Sequence, residues 1–231
     1  MQNIVICGGT SGLGKAMAYE FVKRDNNVIV AGRSSSKLRD VRKIPVLNRI
    51  EQIEQIENKI TTFQCDVRNY KHIERLANYA NYVFDDKIDI WINSAALCEG
   101  PIEFDRLSLS DIDDIISTNL MGTIYGCKIA LDHNVKNIYN ISGHGSQGGK
   151  TPGFPIYGLC KSGIQQFTNT ISDEHENIHT IVPGLMKTKM TEKLFEDTKF
   201  VEIFAQTPER VAKEIVPKIL KNKGDNQLIV F

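Results

Sequence analysis

Two hydrophobic patterns alternate along the chain: short Val/Ile-rich runs, and longer stretches whose apolar residues recur every three or four positions. The runs Asn3–Cys7, Asn27–Ala31, Thr61–Cys65, Ile88–Asn93, Asn137–Ser142, Ile178–Val182 and Gln227–Phe231 read as buried strands. Between them Gly14–Lys23, Pro45–Ile60, Lys71–Phe84, Asp111–Leu131, Tyr157–Glu174 and Pro208–Leu220 carry helical spacing. The stripe Leu47, Ile50, Ile53, Ile56, Ile60, opened by Pro45 as a first helical residue, is too short for a coiled coil and reads as a packed helix. Strand and helix alternating, with right-handed crossovers, predict an α/β fold: a doubly wound, seven-stranded parallel sheet with ligands at the strand C-terminal ends. No repeat and no Pro/Gly/Ser linker divides residues 1–231, which read as a single domain.

Composition narrows the classes of function. Of 231 residues, 41% are hydrophobic and 24% charged, the profile of one soluble globular domain able to bury roughly three quarters of its unfolded surface. Lys and Arg number 28, as do Asp and Glu, so no positive field collects phosphate backbones, and a nucleic-acid partner is not expected. Cys7, Cys65, Cys98, Cys127 and Cys160 are odd in number and lack metal-ligand spacing, so no metal site is expected and a reducing, cytoplasmic setting fits. Strand-like sequence from Asn3 leaves no room for a leader, and no apolar run approaches the ~20 residues of a membrane helix.

The first strand runs through Gly8-Gly9-Thr10-Ser11-Gly12-Leu13-Gly14 into a helix. Glycines at 8, 12 and 14 permit a tight turn, close backbone approach to a pyrophosphate and close helix-strand packing, and the helix start supplies free N–H groups. That is a dinucleotide cradle of the Rossmann type. The second strand ends at Arg33-Ser34, where an NAD site would place an acid for the ribose 2′-OH. Arg33 can instead meet a 2′-phosphate, with Ser34 as a further donor, so NADP(H) is favoured over NAD(H).

Tyr157 and Lys161 lie four apart, on one face of a helix that Pro155 opens. A phenol serves as acid or base near neutral pH only where its anion is stabilised, and an adjacent ammonium does this. With Gly8/Gly12/Gly14, Asp66-Val67, Asn93-Ser94-Ala95-Ala96, Asn119, Ser142 and Pro183-Gly184 with Thr188, the chain resembles the short-chain dehydrogenases/reductases over nearly its whole length. The resemblance implies a Tyr as proton donor or acceptor, a Lys that binds the nicotinamide ribose and depresses the Tyr pKa, a Ser that polarises the carbonyl, and an Asn holding a relay water. These roles fall on Tyr157, Lys161, a Ser at the end of the fifth strand, and Asn119. By the same resemblance Asp66 and Val67 contact adenine, Asn93 and Ala95 line the cofactor, and Thr188 holds the carboxamide. On the residues alone, Asp66 also reads as a turn acid, Asn93 as a loop-satisfying amide and Thr188 as a helix cap.

Ser94 and Ala96 depart from the family's Asn-Asn-Ala-Gly, and the usual Ser register falls near Gly143 or His144. Ser142, which closes the strand, is preferred, with Ser146 in the glycine-rich stretch the alternative and His144 a further donor. The run from Ser142 to Pro152, with Tyr157-Gly158 and Lys161-Ser-Gly, is similar to the chlorophyll b reductase-like branch; without a transit peptide, the pigment substrate is not carried over. Met190, Leu194, Phe195, Phe200, Ile203 and Phe204, where the family builds its substrate lid, point to an apolar substrate or else simply pack the lid down. The resemblance therefore implies an NADP(H)-dependent enzyme interconverting a carbonyl and an alcohol, with a non-catalytic NADP-binding sensor or scaffold as the alternative. It also implies a homodimer or homotetramer through Asp111–Leu131 and the helix after Tyr157.

Overall fold

The strands of a computed structural model are β1 (Asn3–Cys7), β2 (Asn27–Gly32), β3 (Ile60–Gln64), β4 (Ile90–Asn93), β5 (Asn137–Ile141), β6 (Ile178–Pro183) and β7 (Gln227–Val230). All neighbours pair in parallel, in the order β3-β2-β1-β4-β5-β6-β7. The described residues are 1–42, 59–143, 146, 149–188, 190–191, 205–221 and 227–230. The helices are α1 (Gly12–Val22), α2 (Ser35–Arg42), α3 (Tyr70–Phe84), α4 (Leu109–Ile116), α5 (Gly122–Asp132), α6 (Pro155–Ile171) and α7 (Pro208–Leu220). The doubly wound, seven-stranded α/β sheet expected from the sequence is thus the one observed.

Alternation along each strand sorts the core into two layers. On one face Ile4, Ile6, Val28, Val30 and Ile92 pack with Met17 and Phe21 of α1 and Val211 and Ile215 of α7. On the other, Val5, Cys7, Ile29 and Trp91 pack with Ile73, Leu76 and Ala77 of α3 and Cys127 and Ala130 of α5. Both faces are covered, which is why these strands read as nearly unbroken apolar runs. Side-chain caps set several helix starts: Asn69 accepts from Lys71 N–H, Ser108 from Asp111 N–H and Thr207 from Arg210 N–H.

The expected helix Pro45–Ile60 lies almost wholly outside the described residues, but its last position is corrected: Ile60 opens β3, paired with Val28. Helix α2 goes unseen in the periodicity because only Leu38 and Val41 of its eight residues are buried. The single helix expected over Asp111–Leu131 is broken by a π turn at Ser117–Met121, which separates α4 from α5. Phe231 lies outside the described residues. Among those described, no helix is long and apolar enough to cross a membrane, and no cluster of His, Cys, Asp and Glu could hold a metal.

Phe21 is fully buried where α1 meets the sheet. Phe21→Ala is expected to lower unfolding free energy by about 3–5 kcal/mol, read as a reduced denaturation midpoint with unchanged slope.

Candidate active site

β1 has β2 on one side and β4 on the other, and the connections leave in opposite directions, which opens a crevice at their C-terminal ends. Gly8, at φ +90°, lies there so close to β4's exit that a Cβ would overlap the backbone of Ala95. A Cβ on Gly14 would come within 2.5 Å of Gly8 O, so the start of α1 can sit against the turn only as glycine. Ser11 occupies the N-cap of α1 without using its hydroxyl there, and no acid lies in the first turn. Its hydroxyl and the first N–H groups of α1 thus suit an anion, and the glycine cradle fits a dinucleotide pyrophosphate. Thr10 packs over Gly32, Leu13 turns into the core, and the Thr188 methyl lies 3.7 Å from where a Gly12 Cβ would stand.

At the second strand end, Arg33 is exposed. Ser34 is committed to α2: its Oγ accepts from Lys37 N–H at 3.3 Å and shares a hydrogen bond with Ser36. Asp66 is gripped by Arg68 through Nε and Nη2 at 2.7–3.1 Å, and Arg68 reaches on to Asp114 of α4. Burial opposes ionisation of Asp66, yet Arg68's hydrogen bonds and charge, with Arg33 behind them, hold its carboxyl below the usual range. Val67 is buried against Gly122.

Two residues expected in the site turn their side chains into the scaffold. Asn93 accepts from Trp91 Nε1 and donates to Asn140 Oδ1, both at 2.9 Å, and Asn140 in turn donates to Thr168 of α6. Its amide therefore joins β4, β5 and α6 beneath the crevice. Asn119, in the π turn, is fully buried; Oδ1 accepts from Leu97 N–H and Nδ2 donates to Leu97 O, both at 2.7 Å. Both ends of the side-chain amide are thus bonded to Leu97. It stitches down the loop after β4, a task that suits an Asn where helix propensity alone disfavours it.

Tyr157 and Lys161 do converge: Lys161 Nζ lies 5.4 Å from the Tyr157 ring centroid and donates to Ile141 O at 2.9 Å. Beside the phenol stands Gly143, where a Cβ would come 3.0 Å from Tyr157 Oη. Ser142, the serine preferred from the sequence, is buried, and its hydroxyl donates to Lys161 O at 3.0 Å. Ser146 folds back by a hydrogen bond from its N–H to Gly143 O, and its hydroxyl is buried with no partner among the described residues. Burial governs both groups in this structure. Burial pushes the phenol up, reinforced by Cys98, Glu99 and Cys160, and pushes Lys161 down to about 8.

Sequence reasoning missed Glu99. Its Oε1 accepts from the N–H groups of Ile156 and Tyr157 at 2.8 and 2.9 Å, across 57 and 58 residues of chain, and no local spacing signals such a contact. Pro183 ends β6 and Gly184 follows it. Thr188 Oγ1 accepts from Thr191 N–H at 3.2 Å.

A doubly wound sheet with a tyrosine-lysine pair beside its switch point defines the class. Residues 2–199 match the short chain dehydrogenase family model, and the chain belongs to that family of oxidoreductases. It is 32% identical over 250 residues to the probable chloroplastic chlorophyll(ide) b reductase of Arabidopsis thaliana, covering 100% of this chain and 50% of that protein. It is 30% identical over 193 residues to an NADP-dependent 3-hydroxy acid dehydrogenase of Salmonella typhi, covering 79% and 72%. The closed form of serine dehydrogenase complexed with NADP+ superposes with a TM-score of 0.77 at 25% identity, covering 98% of this chain and 94% of that one. The relatives thus include the branch that residues 142–161 resemble, although the chain spans about half the length of the Arabidopsis and rice reductases.

Lys161 supplies a pH test. Its folded pKa, about 8, lies below its unfolded value near 10.4, so between these the unfolded chain holds one more proton and stability rises with pH. Relative to Lys161→Met, the wild type is expected to gain stability from pH ~8 to ~10, read by urea denaturation; parallel curves would refute the shift.

Proposed function

We propose that the protein is an NADP(H)-dependent oxidoreductase that interconverts a carbonyl and an alcohol. The observation that carries this is the Tyr157 phenol facing the gap at Gly143 with Lys161 at its ring, beside a glycine cradle that admits no side chain. A nicotinamide cofactor held in that crevice would supply the hydride for reduction or accept it in oxidation. Tyr157 Oη gives its proton to the carbonyl oxygen in reduction and takes it back in oxidation. The Lys161 ammonium, steadied by Ile141 O, lies near the phenolate so formed and keeps donors for a ribose. Ser146 takes the polarising role expected of Ser142, because its hydroxyl is the one with a proton to offer. Asn119 acts by holding Leu97, and Asn93 by tying β4 to β5.

Gly8, Thr10, Ser11, Gly12, Leu13 and Gly14 hold the pyrophosphate, the last five mainly through backbone N–H groups and the Ser11 hydroxyl. Asp66, Val67, Ala95, Pro183, Gly184 and Thr188 line the rest. Arg33 reads the 2′-phosphate; its exposed guanidinium, and the absence of an acid there, favour NADP(H). A bulky apolar carbonyl substrate is supported by relatives named chlorophyll(ide) b reductase and 3beta-hydroxysteroid dehydrogenase. Leu109 of α4 and Leu159 of α6, 80% and 55% exposed, are the apolar residues that a homo-oligomer contact would cover.

The test is cofactor oxidation with NADPH and with NADH against apolar and polar ketones, aldehydes and quinones. Tyr157→Phe is expected to abolish turnover and Ser146→Ala to lower kcat by ~10²-fold, whereas Ser142→Ala spares the polarising step. Arg33→Ala is expected to weaken NADPH binding by ~10-fold or more with little effect on NADH. NADPH binding without oxidation across the panel, or a preference for NADH, would overturn the reading.

A further inference from the structure

Helix α6 begins with an unmet electrostatic need. Pro155 stands at its first position without an N–H, and Phe154 at the N-cap offers no side-chain acceptor. Gly158 N–H reaches Phe154 O, which leaves the N–H groups of Ile156 and Tyr157 as orphans. Both are taken by a single oxygen of Glu99, from the loop after β4. That loop is fastened to the same place a second time, by Ile102 N–H to Gly153 O at 3.2 Å, with Pro101 against Gly153.

Glu99 is 6% exposed, its other oxygen, Oε2, has no hydrogen-bond partner, and no salt bridge to it is found among the described residues. A buried carboxylate left without a countercharge is costly unless helix N–H groups and the helix dipole compensate it. A neutral amide could accept from the same two N–H groups without burying a charge, so the charge calls for a use. We propose that Glu99 is a positioning residue for Tyr157: it holds the first turn of α6 so that the phenol meets Gly143, and its negative charge keeps that phenol protonated and ready to donate. This rests on the proposed role of Tyr157 as the proton donor.

The titratable groups around the phenol, among the described residues, are Cys98 and Glu99 from the loop and Cys160 and Lys161 from α6. Burial is the largest cause of the raised phenol pKa, and Cys98, Glu99 and Cys160 all act in the same direction. Of these, the Glu99 carboxylate is the group bonded to Tyr157's own backbone.

The test is an ultraviolet titration of the phenolate in the whole protein, taking the difference between each protein and its Tyr157→Phe counterpart, without cofactor or substrate. Glu99→Gln keeps an acceptor oxygen and removes the charge, and it is expected to move the Tyr157 titration down by roughly one pH unit, ~10-fold in its ionisation constant. The alkaline limb of reductase activity in this variant should move down by the same amount. Glu99→Ala, which also removes the cap, should lose kcat more than KM, and Glu99→Gln should restore most of it. If Glu99→Ala does not fold, Glu99→Gln decides. A Tyr157 titration unmoved by Glu99→Gln overturns the proposal, as does wild-type kcat in Glu99→Ala. A titration that moves in a protein that oxidises no NADPH upholds the Glu99 effect on the phenol and overturns the reductase reading alone.

Discussion

Everything in the site depends on β1 and β4 running in register as neighbours and then parting at Gly8 and Ala95. Two backbones can come this close only where one of them lacks a Cβ. The crevice exists because the chain turns away in opposite directions on either side of that contact. The start of α1 nests on the same turn through Gly14, so an added methyl at either glycine would push apart strand, turn and helix together.

Beneath the crevice, buried polar groups are matched to one another. Trp91, Asn93, Asn140 and Thr168 form a chain of hydrogen bonds that ties β4, β5 and α6, with Cys127 of α5 bonded to Asn140. Asn119 closes on both backbone groups of Leu97. Satisfied networks of this kind are rigid, because any rotation strands a buried donor or acceptor. The floor of the site is therefore fixed, and among the described residues Ser146, Lys161 and the second oxygen of Glu99 are left with unused capacity above it.

Tyr157 and Lys161 show what burial does to paired groups. The same low-dielectric setting disfavours both the phenolate and the ammonium, so the two pKa values shift towards the neutral forms. Proximity alone would have drawn them towards the charged forms, but at this separation, with Nζ turned to Ile141 O, desolvation prevails.

The strands, their parallel arrangement, the glycine turn and the Tyr157–Lys161 pair were legible in the sequence, because each is set by local residue type and short spacing: β-branched runs, glycines where a Cβ cannot fit, and an i, i+4 pair on one helix face. What could not be read needed neighbours distant in the chain. Helix α2 carries too few apolar residues to announce itself, and the π turn at Ser117–Met121 arises where Asn119 reaches across to Leu97. Which serine keeps a free proton depends on Lys161 O lying beside Ser142, and whether Asn93 faces cofactor or core depends on Asn140. Glu99 has no meaning in the sequence at all, since its partners lie more than fifty residues on. The sequence by itself determined the fold and the types of chemical group present; only the tertiary structure decided which of those groups are spent on one another and which remain to act, because hydrogen-bond capacity is allotted in space and not along the chain.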